Sequence, residues 1–315
     1  LVNMDGYASE AVRLDVLDAI RHAPVQVTWF VYIGTTGSSA YDYIVTDPVA
    51  TPPRLASHFS EKFLLMPGSF FPTNMAENFA LPGRAPPDFP ELGTAARREE
   101  FGLPADAFVF ACFGKTVKVD PMLFAAWLEI LHRAPNTVLW LLGESSKPNL
   151  YRIALDAGLG DRVFFAPYIP QMEVHFRRLR VANASLDTVI WGAHTNAVYS
   201  LYGSLPLVTC AGRCLEPVAK HETMGSRVGA SLLTALGHGL AEELVVETLA
   251  EYVGLGVRLA TDAEYYADVR ERLEAATATS AVFDTAEYMT HFHNALFQAW
   301  ERFLEDLPPD HIHVR

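Results

Sequence analysis

Short apolar runs of three to six residues alternate along most of the chain with amphipathic stretches and with turns rich in glycine and proline. Phe108 to Phe113, Val138 to Leu142, Val163 to Phe165, Ala184 to Leu186 and Leu207 to Thr209 read as buried strands. Between and after them, helical spacing covers Pro121 to His132, Leu150 to Ala157, Glu173 to Leu179, His194 to Leu201, Gly225 to Leu236, Ala241 to Leu255 and Asp262 to Ala276. Asp120 is placed to cap the first of these helices, with Pro121 at its first position, and Gly158 closes the second. The resulting β-α-β-α-β order predicts a parallel sheet with helices on both faces and a ligand at the carboxyl ends of the strands. Nearer the N-terminus, Leu1 to Met4, Val25 to Phe30 and Tyr41 to Val45 read as strands, the last two separated by the turn-rich run Gly34 to Ser39. Pro67 to Gly93 is rich in proline and has little periodicity, which predicts a linker and a domain boundary. Thr285 to Leu304 carries Tyr288, Phe292, Leu296, Trp300 and Phe303 at spacings of three and four, the pattern of a packing helix.

Composition narrows the function. A chain of 315 residues with 50% hydrophobic content can hold about two globular domains. Its formal charge of −13 argues against a general surface for nucleic acid or anionic membrane, so any bound phosphate must be held locally. No apolar run approaches the roughly 18 residues that span a bilayer. The three cysteines, Cys112, Cys210 and Cys214, are too few for a disulfide framework, and a reducing, intracellular setting is expected. No histidine, cysteine or acidic group has metal-ligand spacing; His291 and His293 are two apart on a helix, and His311 and His313 lie in the terminal tail. Because Leu1 falls inside an apparent strand, further sequence upstream is expected.

Two loops carry candidate chemistry. Phe113 to Asp120 runs from strand to helix and holds Lys118, a point charge suited to a phosphate, although a solvated loop lysine is the alternative. Leu186 to Asn196 has the same strand-loop-helix placement; His194, Thr195 and Asn196 stand where the free N–H groups of a first helical turn would accept a diphosphate. His175 and Arg178, three apart, share a helix face that is either functional or simply solvated. The Walker spacing, the G-x-G-x-x-G fingerprint and the G-x-S-x-G elbow are absent from the sequence, which disfavours dehydrogenase and hydrolase readings.

Taken in order, Leu1-Val2-Asn3-Met4-Asp5-Gly6-Tyr7, Ala23 to Trp29, Asp42-Tyr43-Ile44-Val45-Thr46-Asp47, Lys118-Val119-Asp120-Pro121, Ala134 to Leu142, Leu186-Asp187-Thr188, Gly192-Ala193-His194-Thr195 and Ser226 to Ser231 resemble the catalytic region of the O-linked N-acetylglucosamine transferase family, which includes the SPINDLY-type O-fucosyltransferases. The resemblance implies an α/β fold of GT-B type with two Rossmann-like domains, the first of them incomplete. On this division residues 1–93 form the end of the N-terminal lobe and a linker, 94–283 the nucleotide-sugar lobe, and 284–315 a C-terminal helix and tail. It also implies metal-independent, inverting transfer from UDP-N-acetylglucosamine to Ser or Thr of proteins, with no cofactor, in the cytoplasm or nucleus. An O-fucosyltransferase and a non-catalytic binding module are the alternatives. Lys118 matches the lysine that neutralises the departing diphosphate. His194 and Thr195, with Asn196 in place of a second threonine, match the segment that cradles it, and His175 and Arg178 match the residues lining the uridine region. Departures are Val31-Tyr32-Ile33 near the sugar, Lys115 for a glutamine, Met172 for a lysine, Tyr199 for the acid that binds ribose, and an insertion from Arg213 to Met224. Tetratricopeptide repeats that select acceptors are expected upstream.

Overall fold

The computed structural model describes residues 1–5, 21–79, 98–143, 146–212, 214, 216 and 222–315. Its strands are β1 (Val2–Asn3), β2 (Val27–Thr28), β3 (Tyr43–Thr46), β4 (Lys62–Leu65), β5 (Phe108–Cys112), β6 (Thr137–Leu142), β7 (Val163–Ala166), β8 (Ala184–Leu186), β9 (Leu207–Cys210), β10 (Val245–Val246) and β11 (Ile312–His313). The α-helices are α1 (Met75–Asn78), α2 (Pro121–Arg133), α3 (Lys147–Asp156), α4 (Met172–Val181), α5 (Thr195–Tyr202), α6 (Val228–Leu236), α7 (Leu240–Leu244), α8 (Leu249–Thr261), α9 (Ala263–Thr279) and α10 (Thr285–Leu304). The strands form two parallel sheets, ordered β1-β2-β3-β4-β11 and β10-β9-β8-β5-β6-β7. This is the α/β, GT-B arrangement of two facing Rossmann-like lobes.

In the second sheet β5 and β6 are covered on both faces, so Phe110, Leu139 and Trp140 are buried without alternation. The Asp120 carboxylate accepts from Met122 and Leu123 N–H, which starts α2 where the sequence places it. That helix packs on α8 through Trp127, whose indole N–H donates to the Tyr252 hydroxyl. Gly158, in the left-handed region at φ +74°, ends the segment after α3.

Several expectations change. Ala241 to Leu255 is not one helix: Val245 and Val246 leave the helical path to pair with Thr209 and Cys210, and a Thr248–Glu251 capping box restarts the chain as α8. Gly225 to Leu236 is a 3-10 turn over Met224–Ser226 followed by α6. Strand β4 lacks an alternating pattern and is revealed only by pairing with β3 and β11. The expected terminal tail is that edge strand, β11, so the last residues return to the first sheet after α10. Along α10, Phe292, Ala295 and Ala299 are buried, whereas Trp300 and Phe303 at its end stay exposed. Cys210 and Cys214, read as thiols, form a disulfide with Cα atoms 6.4 Å apart. The linker beyond residue 79 and most of the insertion after Gly212 lie outside the described residues.

Candidate functional site

The carboxyl ends of β5, β8 and β9 converge on one group of polar atoms. Lys118 stands in the 3-10 turn Thr116–Lys118 after β5, and its Nζ donates to the carbonyl of Gly192 in the loop after β8 at 2.9 Å. It is neither a solvated lysine nor a buried one. Burial lowers its pKa, and the Asp187 carboxylate and Cys112 oppose that shift.

Asp187, fully buried at the end of β8, holds this loop from beneath. Its Oδ1 accepts from Thr188 N–H at 2.7 Å and Ala193 N–H at 2.5 Å, and its Oδ2 from the Thr209 hydroxyl at 2.6 Å. Burial pushes the carboxyl up to about 6, against its hydrogen bonds and the Lys118 charge. Gly192 N–H and His194 Nε2 both donate to the Gly225 carbonyl at 2.9 Å. The His194 ring proton is therefore committed to that carbonyl, and burial lowers the imidazole to about 4, so it is neutral near pH 7.

His194, rather than Thr195 or Asn196, is the N-cap of α5, and its side chain does not cap the helix. The first helical bonds run from Ala197 and Val198 to His194 O, which leaves the Thr195 and Asn196 N–H groups at the positive end of the helix dipole. One turn along the same helix, Tyr199 packs edge-on against His175 at 5.5 Å between centroids. His175 and Arg178 are buried, not solvated. An Arg178 NH donates to His175 Nδ1 at 2.6 Å, another to Pro167 O at 3.0 Å, and the guanidinium lies 3.9 Å over Phe113. Burial, and secondarily the Arg178 charge, lowers His175 to about 4, which leaves its proton on Nε2; burial alone lowers Arg178 to about 10. The helix α5 thus brings together the two groups that the sequence singled out, an anion-suited end at Lys118, His194, Thr195 and Asn196 and an aromatic cluster at His175, Arg178 and Tyr199.

The first lobe meets this site through aromatic rings. Phe30, a non-glycine residue at φ +85°, packs on Phe71 at 5.4 Å, and Phe71 lies 6.1 Å from His194. Val31 beside it is exposed, and Lys115 points to solvent. Among the described residues no cluster of histidine, cysteine or acidic groups could hold a metal ion.

Sequence reasoning assigned no role to Asp187, Thr209, Gly225 or Tyr252, whose hydroxyl donates to the Asp187 carbonyl at 2.8 Å. A carboxylate directly following a buried strand was the available signal for the first; the others come from distant sequence.

Comparison with known proteins places the chain in a family. The profile of glycosyl transferase family 41 matches residues 1–81 and 84–292. The chain is 31% identical to a probable UDP-N-acetylglucosamine–peptide N-acetylglucosaminyltransferase SEC of Arabidopsis thaliana, over 100% of this chain and 30% of that protein. It is 27% identical to the UDP-N-acetylglucosamine–peptide N-acetylglucosaminyltransferase of Caenorhabditis elegans, over 99% of this chain and 35% of the other. The chain thus spans about a third of the length of these relatives. Among solved structures, a mutant of the Thermobaculum terrenum O-GlcNAc transferase superposes with a TM-score of 0.72 at 27% identity, covering 92% of this chain and 50% of that one. WaaG, a glycosyltransferase of lipopolysaccharide biosynthesis, shares the fold at a TM-score of 0.53 and 13% identity, over 86% of this chain and 78% of its own.

Proposed function

The chain belongs to glycosyl transferase family 41, and from that membership we propose that it carries the donor-binding part of a protein O-glycosyltransferase that moves N-acetylglucosamine from UDP-N-acetylglucosamine to Ser or Thr. The observation that carries this reading is the convergence of Lys118 Nζ and the uncapped start of α5 on the Gly192 loop. As the bond from the sugar to the diphosphate breaks, negative charge grows on the leaving phosphate. A lysine with hydrogens beyond the one given to Gly192, and two backbone N–H groups at a helix start, are oriented to meet it. In this reading they do the work that a divalent cation does elsewhere, and no cofactor is required.

The aromatic cluster of His175, Arg178 and Tyr199 would contact the uridine. Arg178 holds the imidazole in a neutral form with its proton on Nε2, a donor suited to a base carbonyl. Acceptors would be protein Ser or Thr side chains selected by tetratricopeptide repeats upstream, in the cytoplasm or nucleus, with no role for nucleic acid or membrane. A rice relative named a probable UDP-N-acetylglucosamine–peptide N-acetylglucosaminyltransferase SPINDLY, 30% identical over 92% of this chain and 29% of its own length, supports N-acetylglucosamine as the sugar moved.

Calorimetric titration with UDP tests the proposal. Saturable binding by the wild type that is lost in Lys118→Ala supports it. Absence of binding to the wild type would overturn it in favour of a transferase-like module without a donor.

A further inference from the structure

Asp47 is a buried carboxylate that the donor chemistry does not use. It follows β3 in the first lobe, where its Oδ1 accepts from Val49 N–H at 2.9 Å and Ala50 N–H at 2.7 Å. Its Oδ2 accepts from Phe70 N–H at 2.9 Å and from the Ser231 hydroxyl at 2.6 Å. Ser231 lies in α6, which belongs to the second lobe, and its Oγ is also 2.7 Å from that of Ser69. Four residues earlier, Arg227 donates from Nε to the Val49 carbonyl at 2.7 Å and pairs with Glu222, which in turn binds Arg54 at 2.8 Å. Arg227 and Ser231 therefore both hold the first lobe.

Contacts of the opposite sense are interleaved with these. The Gly225 carbonyl takes the hydrogens of Gly192 and His194. Gly229 packs so closely on the second lobe that a Cβ there would come within 2.8 Å of both Asp187 Oδ2 and Thr209 Oγ1. At about 100° per residue, helix positions two apart point to opposite sides, so Gly229 faces Asp187 while Arg227 and Ser231 face the first lobe. A single stretch of backbone is gripped on one side by the first lobe and on the other by the loop that carries Gly192 and His194.

We propose that residues 225–231 mechanically link the seating of the two lobes to the shape of the loop at 188–194, with Asp47, Arg227 and Ser231 as positioning residues. The close fit at Gly229 leaves α6 no slack, so a displacement of the helix is passed to Asp187 and to the amides it holds. That this loop binds the donor diphosphate rests on the function proposed above. The link itself does not.

Hydrogen exchange of the ligand-free chain tests the link, comparing wild type with Ser231→Ala and Asp47→Asn. Amides of Val49, Ala50 and Phe70 should exchange faster in both variants. The link further requires those of Thr188, Gly192 and Ala193 to accelerate by about 5-fold or more, with the β6 amides unchanged. Ser231→Thr, which keeps a hydroxyl, should restore slow exchange at both places. Faster exchange at residues 49, 50 and 70 with no change at 188, 192 and 193 overturns the proposal. Should Ser231→Ala fail to fold, Arg227→Lys, which gives up the Nε bond to the Val49 carbonyl, provides the same comparison through the other contact that ties residues 225–231 to the first lobe. Titration with UDP separates the two ideas: linked exchange in a wild type that does not bind UDP upholds the link and removes the donor reading.

Discussion

Lys118 Nζ and the Gly192 carbonyl meet at 2.9 Å across 74 residues of chain, which joins the loop after β5 to the loop after β8 through the cation that the donor would need. Only one of the ammonium hydrogens is taken by that bond. The lysine is thereby aimed before any ligand arrives, and preorganisation of this kind is what electrostatic catalysis depends on.

Replacing that cation is the most direct test of the chemistry. Lys118→Ala should lower sugar transfer by about 100-fold to 1,000-fold, the range seen when one preorganised charge-stabilising donor is lost. Single-turnover transfer to a Ser-containing peptide would measure it. Activity within about twofold of wild type would remove Lys118 from the mechanism.

The carboxylate beneath the loop gives a pH signature. Asp187 is raised to about 6 in the fold, so between its ordinary value near 4 and pH 6 the folded protein binds more protons than the unfolded one. Stability contributed by this group therefore falls as pH rises through that window, by roughly 3 kcal/mol in all. Melting temperatures of wild type and Asp187→Asn from pH 4 to 7 should differ in slope accordingly, the wild type losing more on the alkaline side. Parallel curves would contradict the assignment.

Histidine works in the other direction. His194 is lowered to about 4 by burial, so from about pH 6.5 down to 4 the unfolded chain takes up the proton first and stability is lost as pH falls. His194→Gln, whose amide can still donate to the Gly225 carbonyl, should flatten this part of the melting curve. An unchanged acid limb would show that His194 is not held neutral.

Two contacts to Asp187 can be probed without touching the carboxylate. Gly229→Ala inserts a methyl 2.8 Å from two buried oxygens and should cost about 1–3 kcal/mol, outweighing the gain in helix propensity. Tyr252→Phe removes the bond to the Asp187 carbonyl and strands the Trp127 indole N–H, for about 1–3 kcal/mol. Denaturant unfolding monitored by tryptophan fluorescence would report both, and a stable Gly229→Ala protein would mean that α6 can shift after all.

Much of the second lobe was legible from the sequence because its signals are local. Buried parallel strands are runs of apolar residues, and Asp120 with Pro121 marks a helix start within one turn, so β5 to β9 and α2 to α5 fall within a few residues of their expected places. Lys118, His194, Thr195 and Asn196 could be placed for the same reason, each standing in a strand-to-helix loop or at the helix start that follows it. The two-residue strands β10 and β11 carry no such signal, since what defines them is the neighbour they pair with.

By itself, then, the sequence determined the alternation of elements, the position of the strand-to-helix loops and, through its ordered motifs, the family. Tertiary structure alone decided that Asp187 supports one loop, that Arg178 orients His175, that Cys210 meets Cys214, and that α6 lies between two buried carboxylates. The reason is physical. Capping and periodicity act over a few residues, whereas the partner of a buried polar group is chosen by which distant strands and helices are brought together to satisfy it.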